Sequence, residues 1–388
     1  MKKVLLASTA LVAFAGAAAA EVSLSGSAEM GVVGGKGQDA QFFQDVDVSF
    51  AMSGETDGGL TFGTKVDLDE AGKLGDSFSN QGVAIYVSGE FGTVTLGDTD
   101  SAFTWAVDSI DSWGNPGSID DSETAHFGRQ GDFLKGTAYD GQVLRYDYTF
   151  DAFGFAVSLE QDDSSDFERT TFDADGNVDS VEDAGDYQWA VGASWSPELG
   201  GGTLDLGIGY EYAPNGAIGF DLTDAAALDL FESLAAADFT DDEIAALETF
   251  FGIDYDAVDN SSFLVNLGED VSSWGLSAGY STDNGLSIGG VYADFSGDDL
   301  DSGSYWGLGA GYAFEEFSFH VNYGEHSFEG DGGGAFDSTG YGVAAGYDLG
   351  GGLSVLAAYG NSDVDIKIFD EKAKTDFDTY SLGLSMSF

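Results

Sequence analysis

The chain has 388 residues, with 58 glycines, 3 prolines, 3 histidines and no cysteine, and it sets 69 acidic side chains against 12 basic ones for a formal charge of −57. That balance excludes a surface built to neutralise nucleic-acid phosphates, and the missing cysteines exclude disulfide frameworks and thiolate metal sites. An aromatic share of 14% is too rich for a disordered chain.

Residues 1–20 read as a secretory signal peptide. Lys2 and Lys3 give a basic start, Val4 to Gly16 is apolar, and Ala18-Ala19-Ala20 supplies small residues before a cleavage point. The expected mature chain, 21–388, forms one barrel domain. No later stretch is long and apolar enough to cross a bilayer as a helix.

From Glu21 onward the dominant pattern has period two, the mark of strands with one apolar face. Tyr187, Trp189, Val191, Ala193 and Trp195 alternate with Gln188, Ala190, Gly192 and Ser194. Sixteen such segments are expected, at 22–33, 44–53, 59–68, 82–90, 92–98, 142–151, 153–161, 186–196, 202–212, 271–281, 285–295, 304–314, 316–324, 339–348, 352–360 and 379–388. Their connections alternate short and long. The long ones lie at about 99–141, 162–185, 213–270, 325–338 and 361–378. An even strand number with loop length sorted by side is the signature of an outer-membrane barrel with short periplasmic turns and long outer loops.

The faces agree. Tyr210, Tyr212, Tyr280, Tyr312, Phe314, Tyr347, Tyr359 and Trp195 place aromatics near strand ends, as at a membrane interface. The opposite face is Ser, Thr, Gly, Asp and Glu, which suits a water-filled lumen and not a core. By parity Leu206 points to lipid and Gly207 into water, so an arginine at 207 is expected to assemble. The fold class is therefore all-β: a 16-stranded antiparallel transmembrane barrel, hollow at that size.

The third outer loop, about 99–141, carries Asp100, Asp108, Asp111, Asp120, Asp121, Glu123, Asp132 and Asp140. Folded into the lumen, it would form an acidic constriction. Parity turns Lys65, Asp67 and Arg145 inward, together with Glu29 and His320. Acidic and basic groups on opposed walls would create a transverse field across the pore.

Asp173, Asp175, Asn177 and Asp179 have the alternate spacing of a calcium loop. Val178 replaces the expected glycine and Ala184 the closing glutamate, so this is no EF-hand, and an acidic surface loop is the plainer reading. Within 213–270 the period changes. Segments 222–239 and 243–251 read as short helices, the second opened by the capping box Thr240-Asp-Asp-Glu243. No Gly-x-Ser-x-Gly elbow precedes a helix, and acids are too abundant for any pair to mark acid–base chemistry, so no enzyme is expected.

The chain closes on Tyr380-Ser-Leu-Gly383-Leu-Ser-Met386-Ser-Phe388, an alternating strand ending on an aromatic. With Glu21-Val-Ser-Leu-Ser-Gly26, with Phe50-Ala-Met-Ser-Gly-Glu-Thr-Asp-Gly-Gly-Leu60-Thr-Phe-Gly63, with Val87-Ser-Gly-Glu-Phe-Gly-Thr-Val-Thr-Leu-Gly-Asp98 and with Val143-Leu-Arg-Tyr-Asp-Tyr148, it resembles the Gram-negative general porins of the Rhodobacter-type family. That resemblance implies a homotrimer in the outer membrane, a third loop folded into the lumen, no required cofactor, and recognition of the strand ending at Phe388 by the barrel-assembly machinery. The function expected is passive diffusion of ions and small hydrophilic solutes, with cations preferred because most acids fall in the outer loops. The competing expectation is a non-conducting structural or adhesive barrel whose acidic loops bind calcium or partners.

Overall fold

The computed structural model describes residues 21–36, 38–70, 79–129, 142–161, 168–172, 178–183, 187–221, 262–330, 333–368 and 371–388. The elements in chain order are β1 (Glu21–Gly35), β2 (Gln38–Glu55), β3 (Thr61–Glu70), β4 (Ser79–Gly89), β5 (Gly92–Gly97), α1 (Ala102–Ala106), β6 (Val143–Phe150), β7 (Phe153–Gln161), β8 (Glu168–Phe172), β9 (Val178–Asp183), β10 (Tyr187–Trp195), β11 (Gly202–Asp221), β12 (Ser262–Thr282), β13 (Leu286–Ser296), β14 (Leu300–Phe314), β15 (Phe317–Gly330), β16 (Gly334–Gly350), β17 (Leu353–Ile368) and β18 (Glu371–Ser387).

Sixteen of these strands close one antiparallel barrel, each paired with its neighbour in the chain and β7 with β10, while β8 and β9 form a separate hairpin. Closure is made by β18 on β1, with Gly31 opposite Gly383 and Ser27 opposite Ser387. The last residue completes the seam, because Phe388 N–H donates to the Gly26 carbonyl at 2.9 Å. Closed pairing satisfies the backbone groups that a bilayer cannot hydrate.

The strands are inside-out relative to a soluble sheet. In β10, Tyr187, Trp189 and Val191 are exposed while Gln188, Ala190 and Gly192 are buried. Cross-strand aromatic pairs stud this outer face: Trp189 with Tyr210, Trp274 with Tyr292, Trp306 with Tyr323 and Tyr341 with Tyr359. Tyr359 lies opposite Tyr380, so β10 to β18 carry one Tyr or Trp each at this level. Continued around the barrel at the same height, the row meets Val32 on β1 and Phe42 on β2 and then stops, since Val32 pairs with both Leu382 and Phe42.

Above that row the strands run on, and their polarity inverts. Outward positions become Asp294, Glu325, Asp337 and Asp363, while inward ones become Phe295, Phe328, Phe336, Val364, Ile366 and Phe377, all buried. This corrects two expectations. The inner face is not polar throughout, because its outer end carries an apolar layer. The long loops expected at 325–338 and 361–378 fall largely within strands, since β15 runs to Gly330, β16 starts at Gly334, β17 runs to Ile368 and β18 starts at Glu371. Likewise β11 reaches Asp221 and β12 begins at Ser262, so the two ends of 213–270 are paired strand. The helices expected at 222–239 and 243–251 lie outside the described residues.

At the opposite, periplasmic end the turns are short. Gly350, Gly351 and Gly352 between β16 and β17 all have positive φ (83°, 69° and 84°), a run that residues with a Cβ rarely adopt.

Candidate functional site

The chain leaves β5 at Gly97 and turns into the barrel. Ser101 caps α1, its Oγ accepting from Thr104 N–H at 3.2 Å. From there the loop lies flat along the inner wall. Ala102 N–H donates to Ser158 Oγ on β7 (2.9 Å), and Asp108 N–H to Ser277 Oγ on β12 (2.9 Å). Phe103 is wholly buried against Gly209 and Gly275, and Trp113 against Gly279 and Gly289.

The loop reaches β1, where Glu29 accepts from the Ser118 hydroxyl (2.9 Å) and from Ile119 N–H. Three successive non-glycine residues there, Ile119, Asp120 and Asp121, have φ of 55°, 57° and 41°, and the chain doubles back. The return arm is pinned to the wall by its own backbone. Thr379 Oγ1 donates to Ser122 O (2.9 Å), Asn322 Nδ2 to Glu123 O (3.0 Å) and Ser338 Oγ to Phe127 O (2.8 Å). All three histidines serve this seam: His126 meets Asn322 Oδ1 at 2.6 Å, His326 Nδ1 meets Phe127 O at 2.9 Å, and His320 Nδ1 meets Trp113 O at 3.2 Å.

The loop therefore covers β7, β10 to β18 and β1. The stretch β2 to β6 forms the wall that faces it across the lumen, joined to the loop at Arg145. Its inward side chains include Asp45, Asp47 and Ser49 on β2, Lys65 and Asp67 on β3, and Arg145 and Asp147 on β6. Lys65 and Asp67 face inward as parity requires. The expected contrast of an acidic loop with a basic wall is not what forms, because both cations stand beside carboxylates. Lys65 Nζ is 2.8 Å from Asp67, which also accepts from Ser49. Arg145 Nε is 3.2 Å from Asp147, and its Nη1 donates to Asp100 O at 2.9 Å, fastening the start of the loop. Among the described residues this wall is thus acidic on balance.

The loop acids divide by environment. Asp100 and Asp120 are exposed. Asp108 is half-buried, and its carboxyl is pushed up by burial and by repulsion from Asp205, against its bond to Ser277. Asp121 is raised by burial and by Asp111, Glu29 and Asp120, with Arg129 opposing. Glu123 is buried entirely, which lifts it to about 6. Its Oε1 accepts from Asn115 Nδ2 at 2.6 Å, and its Oε2 has no hydrogen-bond partner among the described residues. Burial lowers His126 to about 4. Glu123 is thus a structural acid inside the loop, not a group on the water-filled face.

Asp132 and Asp140 lie outside the described residues, as do Asp173, Asp175 and Asn177. Asp179 falls in β9. Among the described residues no cluster of acids or histidines has metal-site geometry. Sequence reasoning missed Asp147 and the wall serines and glycines that seat the loop. Their signal was present in repeats such as Gly307-Leu-Gly309-Ala-Gly311, whose small residues all fall on one face.

Comparison with known proteins agrees with this architecture. Residues 7–367 match the family model described as Gram-negative porin. The curated porin of Rhodobacter capsulatus is 30% identical over 303 residues, covering 75% of this chain and 89% of that protein. A refined porin structure superposes with a TM-score of 0.54 at 21% identity, over 95% of this chain and all of the other. A triple mutant of Rhodopseudomonas blastica porin gives 0.53 at 17% identity, with the same coverage.

Proposed function

The chain belongs to the Gram-negative porin family, and from that premise we propose a cation-preferring general diffusion channel for ions and small hydrophilic solutes, working as a homotrimer. As an outer-membrane porin it is a channel rather than an enzyme.

One observation supports the reading: among the described residues the loop lies against β7, β10–β18 and β1, and the wall it faces, β2–β6, is acidic on balance. Solute passes between that wall and the loop acids, of which Asp100, Asp120 and Asp121 are exposed and Asp108 and Asp111 half-buried. Lys65, Asp67, Arg145 and Asp147 line the other side. Fixed carboxylates on both sides stabilise a partly dehydrated cation and raise the energy of an anion. Calcium would weaken the preference by occupying outer carboxylates, those of 173–179 among them.

The interrupted aromatic row supports the trimer. Tyr and Trp seek the boundary between lipid and water. Their absence from β1 and β2, where Met30, Phe42, Phe50 and Met52 are exposed instead, fits a face that meets another subunit. Lipid and lipopolysaccharide then meet the β10–β18 side. The strand ending at Phe388 is the element the assembly machinery would read.

The apolar layer around Phe295, Phe328 and Phe336 favours a second reading, a partly filled, non-conducting surface barrel. Planar-bilayer recordings separate the two: stepwise, ohmic channel openings support the diffusion channel, and a silent, correctly assembled protein supports the rival.

A further inference from the structure

Between the serines, histidines and Asn322 that bond the loop, the wall behind it is lined by glycines, and there the backbones come closer than any side chain allows. A Cβ built on Gly342 would stand 1.6 Å from Glu123 O. On Gly309 it would stand 1.9 Å from Ile110 O, on Gly324 1.9 Å from Gly128 O, on Gly192 2.0 Å from Ala102 O, on Gly207 2.0 Å from Ala106 O, and on Gly360 2.2 Å from Ser122 O. In each case the obstacle is a loop carbonyl, which cannot swing aside as a flexible side-chain end can. The outgoing arm meets the wall at every fourth residue, at carbonyls 102, 106 and 110. The return arm meets it at 122, 123 and 128.

We infer that the aperture of this channel is set from behind, by a track of glycines that the passing solute never touches. The inference rests on the channel reading above. The wall is a sheet paired on both sides, held at Gly342 between Asn322 and Gly360, so it yields less than the loop does. A relaxed carbon–oxygen contact needs about 3.3–3.6 Å. A methyl group at Gly342 therefore drives the loop backbone off β16 by roughly 2 Å, away from the wall and toward the lumen. The loop's own lumen-facing residues would be unchanged, yet the gap would narrow. Gly342, Gly309 and Gly360 are in this sense positioning residues for permeation.

The test uses full-length protein bearing Gly342→Ala, with Gly360→Ala as the milder second variant. Gly290→Ala is the control, because that glycine faces outward and its nearest obstacle is the end of the Leu308 side chain at 2.9 Å. Each protein is first shown to migrate like the wild type as an SDS-resistant, heat-modifiable oligomer. Single-channel conductance and liposome swelling with sugars of increasing size are then read. The expected result is a fall in conductance of about twofold for Gly342→Ala, a steeper loss for large sugars than for small ones, a smaller effect for Gly360→Ala, and no change for Gly290→Ala. Unchanged or enlarged conductance in either assembled track variant overturns the inference. A wild-type protein that does not conduct would instead remove the channel reading on which it rests.

Discussion

The two halves of the barrel solve different problems with the same strand geometry. From β10 to β18 the outer face carries a Tyr or Trp on every strand at one level, and the inner face carries glycine and serine beneath a seated loop. On β1 and β2 that aromatic row is missing outside, and from β2 to β6 the inner face carries Asp45, Asp47, Asp67 and Asp147 with Lys65 and Arg145. The first half is shaped by lipid on one side and by packing on the other. The second is shaped by another subunit on one side, under the trimer reading, and by water on the other. Side-chain parity is the same in both, so what a residue faces depends on which half it occupies.

The largest effect expected from that difference is at Gly207. An arginine there must displace Ala106 of the loop, so Gly207→Arg should fail to give the compact, heat-modifiable form on refolding. Leu206→Arg, on the lipid face of the same strand, should still close the barrel and lose roughly 2–4 kcal/mol in a denaturant titration in lipid. Equal behaviour of the two variants would erase the distinction between lipid-facing and loop-facing positions.

A charge on the outer face of the other half should act on assembly instead. Val48→Arg on β2 is expected to leave a folded monomer in mild detergent while abolishing the SDS-resistant oligomer, read by gel and light scattering. A stable trimer with arginine at 48 would move the subunit contact elsewhere.

Smaller effects concern charge. Asp147→Asn leaves Arg145 without its carboxylate on the β2–β6 wall and should lower the cation preference measurably without changing conductance by more than about twofold. The smallest is a pH dependence inside the loop. Glu123 has its carboxyl raised to about 6, so its ionisation costs seating stability as pH rises from about 4.5 through 6. His126, lowered to about 4, works the other way: its protonation costs stability as pH falls from about 6.5 toward 4. The two nearly offset each other. Glu123→Gln should unmask the histidine, so that loop seating, followed by Trp113 fluorescence, strengthens with pH between about 4 and 6.5. A flat profile in that variant would contradict the burial of His126 against Asn322.

Much of this was legible in the chain. Alternation from Tyr187 to Trp195 and its fifteen counterparts set the strand count, the closing strand and the inward parity of Lys65, Asp67 and Arg145. It misled where one face changed neighbours. Above the aromatic row Phe328, Phe336 and Phe377 point inward and acids point outward, so the pattern read as loop. At Gly207 parity gave the side correctly but not what occupied it. No local signal says that a loop more than a hundred residues away in sequence will lie there. The salt bridge of Arg145 with Asp147 was within reach of parity, since the two are two residues apart on one face, and it turns an expected basic wall into an acidic one.

Ions that permeate between two acidic surfaces must reveal it in the reversal potential under a KCl gradient. Selectivity for K⁺ over Cl⁻ is expected, strongest in dilute salt and shrinking as the Debye length falls from about 8 Å at physiological ionic strength to about 3 Å at 1 M. Anion selectivity in dilute salt, or a preference that ignores ionic strength, would contradict it.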